Sequence, residues 1–257
     1  MAFLLYTLVP TLGMLLGMLV CLEVGRWMGA RRRAEGGAAD GGAGAVETAI
    51  FALFGLLIAF TFSGAASRFD HRRDQIVAEA NAIGTAYLRI DLLPAEAQPP
   101  LRALFREYLG SRLATYRKLP DLRAAKAEYD RSVALQGEIW ARAVAAARSV
   151  ENPAVPSLVV PALNDMFDIA TARLAATRTH VPQVILVLLF GLALAAALVV
   201  GYSTSLDQRR YWFRTVIFAV VISSSIYVTL DLEFPRFGLI RVDSADQLLV
   251  ELLQQMR

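Results

Sequence analysis

Thiol and imidazole side chains are scarce in this sequence, which contains one cysteine, Cys21, and two histidines, His71 and His180. A single cysteine excludes an intrachain disulfide, and so few soft ligands argue against a zinc site of the usual composition. There is no Gly-rich phosphate loop ending in Lys-Ser/Thr, no GxGxxG after a strand, no HExxH and no CxxC. No catalytic residue, metal site or cofactor is therefore expected. Lysine is nearly missing too: Lys118 and Lys126 are the only two, so arginine supplies almost all of the 26 basic residues. That bias, with abundant alanine, is the mark of a GC-rich bacterial genome. The net charge is only +3, and no basic stripe interleaved with aromatics occurs, so nucleic acid is not expected as a partner. Strand alternation is missing throughout, which predicts an all-α fold.

What the chain does have is apolar length. Hydrophobic residues make up 56% of it, and the mean hydropathy is +0.47, both high for a soluble protein. Ala2 to Leu22, Ala49 to Ala66 and Val181 to Leu206 are free of charge. Each comes close to or exceeds the roughly 20 apolar residues that a helix needs to cross a bilayer. Thr215 to Leu230 is shorter, but Tyr211, Trp212 and Phe213 extend it while Arg214 snorkels toward the headgroups. The expectation is a polytopic membrane protein with four transmembrane helices and a helical soluble insert between the second and third. The first run lacks a basic n-region and a small-x-small cleavage site, so it reads as a retained helix rather than a signal peptide.

Four segments follow: a first helix pair over 1–66, a soluble bundle over 67–180, a second pair over 181–230, and a tail with a short helix over 231–257. Gly25 to Glu47 reads as a flexible Gly/Ala-rich loop and Asp207 to Arg210 as a tight hairpin. Trp27, Tyr202, Tyr211 and Trp212 fit an aromatic belt at one interface. In the insert, Leu101, Leu104, Phe105, Tyr108, Leu109, Arg112, Leu113 and Tyr116 recur at helical spacing. Asp121 is placed to cap a second helix running to about Ser149, which Glu151-Asn152-Pro153 breaks. A third helix begins near Pro156 or Pro161 and is expected to run on into the third membrane helix. Leu93-Pro94 ends the first.

The second membrane helix carries two stripes of period four. Phe54, Ile58 and Phe62 form a stripe of large side chains, which faces lipid, a neighbouring helix or a central axis. Around an axis of several copies it would make a hydrophobic constriction. Gly55, Ala59 and Ser63 form a stripe of small ones suited to close helix packing. Beyond the helix, Arg68 and Arg72 stack one turn apart, either as an interfacial anchor or as a pore mouth that attracts anions. His71 and His180 lie at two membrane-helix ends, most simply as solvated interfacial side chains. Ser223-Ser224-Ser225 are expected to bond to their own backbone or to a neighbouring helix. In EANAIGTAYLR, the residues Glu79, Asn81, Gly84, Thr85 and Arg89 read as a helix-packing seam, since a close crossing at Gly84 would offset its poor helix propensity.

Taken together, Glu23-x-Gly25 with Gly29 and the following arginines, FGLLIAFTFSGAASRFDHRR, VAEANAIGTAYLRIDLLP and LDLEFPRFGLIRV resemble the bacterial bestrophin-like family of membrane proteins. The resemblance covers nearly the whole chain and implies distant similarity to bestrophins, which are pentameric anion channels with a cytoplasmic insert and cytoplasmic termini. It implies a homo-oligomer, by that similarity a pentamer, in the bacterial inner membrane, with the bilayer and inorganic ions as partners. It also implies that Phe54, Ile58 and Phe62 line the pore. Bestrophins carry an Asn-Pro-Phe-Gly turn followed by acids that help bind calcium. Here Arg236 is inserted in Phe234-Pro235-Arg236-Phe237-Gly238, and the nearest acids, Asp231 and Glu233, precede the proline. The alternative reading is a membrane-anchored sensor or scaffold whose bundle binds a ligand or partner.

Overall fold

The computed structural model describes residues 7–35, 43–205 and 212–256, and no strand occurs among them. Four helices are long and apolar enough to cross a membrane. The elements are α1 (Val9–Ala34), α2 (Ala43–Arg89) with a 3-10 turn at Ile90–Leu92, α3 (Gln98–Arg117), α4 (Leu122–Arg148), α5 (Ala154–Arg178), α6 (Gln183–Thr204), α7 (Trp212–Glu233) and α8 (Asp243–Gln255).

The chain divides into two compact units. A membrane unit comprises Met1–Arg68 and His180–Ile240, and a bundle unit comprises Phe69–Thr179 and Arg241–Arg257. The helix α2 contributes to both. The tail splits as well, with residues 231–240 in the first unit and α8 in the second.

In the membrane unit, α1 packs on α6 and α7. The core joins Met14, Met18 and Leu22 of α1, Phe54 of α2, Leu189, Ala193 and Ala197 of α6, and Ala219, Ile222 and Ile226 of α7. Glycine decides the α1–α6 crossing. A Cβ at Gly25 would stand 2.0 Å from the Leu198 carbonyl oxygen, and one at Gly201 would stand 2.1 Å from that of Leu22. The two backbones touch where the side chain is missing, as small residues allow inside membranes.

This contact corrects the expected flexible loop from Gly25 to Glu47. Gly25 and Gly29 are buried positions of α1, which runs on through its arginine run to Ala34, and α2 has begun by Ala43. Arginine, alanine and methionine are good helix formers, and packing on α6 outweighs the local cost of glycine. Residues 2–6, the 36–42 part of the loop and the Asp207 to Arg210 hairpin lie outside the described residues, as does Tyr211 of the aromatic belt.

In the bundle unit, α3 opens with Pro99 and Pro100 in its first turn, where the missing N–H groups cost nothing. Asp121 caps α4, its carboxylate accepting from the Arg123 and Ala124 amides at 3.0 Å. The core gathers Ile76 and Ile83 of α2, Leu101, Phe105, Tyr108 and Leu109 of α3, Ile139 of α4, Leu163 and Met166 of α5, and Leu249 of α8. The helix α5 does not continue into the third membrane helix as expected. It stops at Arg178, and Pro182 caps α6, because a proline lacks an amide and pushes the preceding residue out of helical geometry.

Candidate functional site

In the membrane unit, polar side chains converge on the C-terminal end of α7. Glu233, only 2% exposed, accepts from Arg68 Nε at 2.8 Å and Nη2 at 2.5 Å. Its second oxygen accepts from the Val181 amide at 3.3 Å. That oxygen also lies 3.4 Å from His180 Nδ1, whose ring stacks on Phe234 with centroids 4.8 Å apart.

Two residues earlier, the buried Asp231 holds the turn that follows. Its Oδ1 and Oδ2 accept from the Leu239 amide at 3.1 and 3.0 Å, and Oδ2 accepts from that of Ile240 at 2.8 Å. A Cβ at Gly238 would fall 1.8 Å from Asp231 Oδ1, so the turn closes there only without a side chain. These acids do not fit a calcium ion, which needs several free oxygens: Asp231 is taken up by backbone donors and Glu233 by a guanidinium.

In the bundle unit, one buried carboxylate ties four helices together. Glu79 of α2 accepts from Arg112 Nε of α3 at 2.5 Å and from Arg173 Nη1 of α5. Arg173 also donates to Asp246 of α8 at 2.8 Å. The Arg173 guanidinium lies 3.9 Å from the Tyr116 ring centroid, and Arg112 Nη2 donates to the Tyr116 hydroxyl at 3.3 Å. Burial pushes the Glu79 pKa up, but the charges and hydrogen bonds of Arg112 and Arg173 outweigh it, and the result lies below the ordinary value. Burial pulls Arg112 and Arg173 down, yet their anionic and phenolic neighbours raise both on balance. Burial lifts the nearby Tyr108 phenol to about 12. The cluster is a structural lock: Glu79, Arg112 and Arg173 are buried and hold one another, Asp246 closes it from a half-buried position, and one buried donor, Arg112 Nη1, is left without a hydrogen bond.

The residues singled out in the sequence separate in the structure. Phe54 is 6% exposed and packs inside the membrane unit. Ile58 is partly buried against that core, and Phe62 is 45% exposed. Gly55, Ala59 and Ser63 are exposed, and nothing lies within 4 Å of where a Gly55 Cβ would be. Among the described residues no helix packs closely on Gly55. Neither collar arginine presents a free cation: Arg68 belongs to Glu233, and the buried Arg72 donates to the Ala176 and Thr179 carbonyls at 3.2 and 2.7 Å, capping the end of α5.

Of the EANAIGTAYLR residues, Glu79 is the centre of the lock and Arg89 bonds to the Leu158 carbonyl. Asn81 and Thr85 are exposed. Gly84 faces α8 without a close crossing, since a Cβ there would meet Leu252 at an ordinary 3.5 Å. His71 meets Gln75 at 3.3 Å. Ser225 bonds back to the Val221 carbonyl at 2.9 Å, and Ser223 touches Met18 Sδ at 3.9 Å. Sequence reasoning missed the pairing roles of Asp231, Glu233, Arg173 and Asp246. The signal open to it was a charge on the face that the helical period marks as buried, as with Arg112 between Tyr108, Leu109 and Tyr116.

Comparison with known proteins places the chain in a wider group. Residues 12–246 match the family described as bestrophin-like domain. No match is found among the curated proteins. Among solved structures, a variant of a bacterial bestrophin homologue from Klebsiella pneumoniae is 15% identical, with 97% of each chain covered and a TM-score of 0.71. A second variant of that homologue, also 15% identical, gives 0.71 with 96% of this chain and 98% of the other covered. A structure described as a membrane protein is 16% identical and gives 0.68 over the same shares. At these identities the likeness concerns the fold alone.

Proposed function

The chain belongs to the bestrophin-like family, and we propose that it is one subunit of a homo-oligomeric, pentameric ion channel that conducts anions. The observation that carries this reading is the family match over nearly the whole chain, in which bestrophins are anion channels. The exposed face of the membrane part of α2 supports it. Leu56, Phe60 and Phe62 stand outward there beside Gly55, Ala59 and Ser63. A face with both large and small apolar side chains suits an axis and a close contact between copies.

In the proposed assembly Phe62 and Ile58 form the constriction, and Phe54 backs them from the core of its own subunit. Arg68 and Arg72 hold the mouth in shape through Glu233 and the end of α5 rather than drawing anions as free charges. Selectivity for anions over cations is accordingly modest. The membrane is the bacterial inner membrane, with the bundle and both termini in the cytoplasm.

Reconstitution tests the reading. Liposomes holding the purified chain should pass chloride down a potassium chloride gradient, the sign of the reversal potential should favour the anion, and Phe62→Ala should raise the flux. Tight liposomes containing well-inserted protein, unaffected by Phe62→Ala and Ile58→Ala, would overturn it. A reporter fused to the C-terminus should be active on the cytoplasmic side.

A further inference from the structure

The membrane unit holds a cavity of about 190 Å³ between α1, α6 and α7 that none of the roles above uses. Leu19 and Val216 belong to its apolar wall, and Arg26, Thr204 and Trp212 stand around its polar part with Glu23 and Thr215. Trp212 is 64% exposed, as expected of a tryptophan seated at headgroup level.

The bonding of these side chains decides what the cavity can take. Glu23 and Thr215 each already have a partner in the chain. Thr204 spends its hydroxyl hydrogen on the Val200 and Gly201 carbonyls, at 2.8 and 3.1 Å. Arg26 is half-buried, and among the described residues it has no hydrogen bond, ion pair or ring contact. Among the same residues the indole N–H of Trp212 has no acceptor. The groups left open are therefore donors, one of them cationic, and the one carboxylate of the wall is already engaged. A guanidinium partly withdrawn from water beside a bilayer is costly unless an anion meets it.

We propose that Arg26 binds a phosphate group in this cavity, that of an anionic phospholipid in the surrounding leaflet. The phosphate oxygens accept charge-assisted hydrogen bonds from the guanidinium and a further one from the Trp212 indole. Leu16 and Val220, one turn further into the membrane span than Leu19 and Val216, are exposed and give the acyl chains an apolar surface to follow. The cavity falls short of the roughly 300 Å³ that a drug-sized molecule needs, so it takes a headgroup and leaves the chains outside. A zwitterionic headgroup brings an ammonium for which no unengaged acid is at hand, so net negative charge is preferred. The inference needs the chain to lie in a membrane, and it stands whether or not the protein conducts.

Native mass spectrometry of the full chain in detergent, with phosphatidylglycerol, phosphatidylethanolamine and phosphatidylcholine added in equal amounts, tests it. Phosphatidylglycerol adducts should dominate. Arg26→Gln should weaken them about tenfold, and Arg26→Lys should restore most of the loss. Arg33→Gln, at an exposed arginine of the same helix outside the cavity, should leave them unchanged. Equal retention of the three lipids by the unchanged chain would overturn the proposal, and that measurement stands even if Arg26→Gln fails to fold. Full retention by a folded Arg26→Gln would overturn it too. A loss with Arg33→Gln as large as with Arg26→Gln would reduce the preference to general charge attraction and overturn the site. Displacement of the lipid by millimolar glycerophosphate or inorganic phosphate would reassign the cavity to a soluble phosphate and overturn the lipid source.

Discussion

The Arg68 guanidinium grips the Glu233 carboxylate with two hydrogen bonds, at 2.8 and 2.5 Å, across 165 positions of sequence. The pair joins the membrane end of α2 to the end of α7 inside one unit, with the glutamate almost wholly buried. Removing one partner of such a pair leaves a charge without compensation, at a cost of about 3–5 kcal/mol for a fully buried pair. Because Arg68 is partly exposed, water offsets some of that loss. Glu233→Gln is expected to lower the unfolding midpoint in detergent, and Arg68→Met combined with it should cost less than the sum of the two single changes. Additive costs would show that the pair does not couple the two helix ends.

The Glu79 lock predicts an acid limit for the bundle. The carboxyl pKa is lowered in the folded chain from an ordinary value of 4.5. A lowered folded pKa means that stability from the pairing is complete above that ordinary value and is lost as pH falls below it toward the folded pKa. Unfolding followed by tryptophan fluorescence should therefore show stability dropping as pH falls below 4.5. Glu79→Gln should flatten that part of the slope while lowering stability at neutral pH.

Glycine substitutions should divide sharply by position. Gly25→Ala and Gly201→Ala would drive a methyl into a facing carbonyl at 2.0 and 2.1 Å, so both are expected to disrupt the α1–α6 crossing and to yield little folded protein. Nothing lies within 4 Å of a Cβ at Gly13 or Gly191 in the same two helices. Alanine there should be tolerated and is expected to add up to about 1 kcal/mol through helix propensity. Thermal melts of the four variants check the contrast.

At Gly84 the ordinary 3.5 Å approach to Leu252 predicts that alanine leaves the fold and the oligomer unchanged. Leucine has no such room and should loosen α8. Size-exclusion chromatography with limited proteolysis of the C-terminal helix will separate the two outcomes. Equal protection of α8 in both variants would show that the α2–α8 contact is soft.

Much of the architecture was legible because it depends on properties that run along the chain. Charge-free runs marked the membrane helices, Asp121 marked a helix start, and the period of Leu101, Phe105 and Tyr108 marked a buried face. Arg112 fell on that same face by its spacing, with no sign in the period of what it would pair with. The errors came where local signals met tertiary packing. Gly25 and Gly29 suggested a loop in composition, yet they are the contact points that let α1 lie against α6. Thr179 to Pro182 looked continuous with a helix on each side, and the proline geometry divided it.

The sequence by itself determined that this is an all-α chain with four apolar helices able to cross a membrane, since the length and charge of a run suffice for that. Only the tertiary structure decided which charges meet. Glu79 finds Arg112 33 positions away, Glu233 finds Arg68 165 away, and Arg72 reaches the Ala176 and Thr179 carbonyls. Such pairings depend on where helices cross and which faces they turn to each other, and a buried charge is stable only where that geometry brings its counterpart within a hydrogen bond.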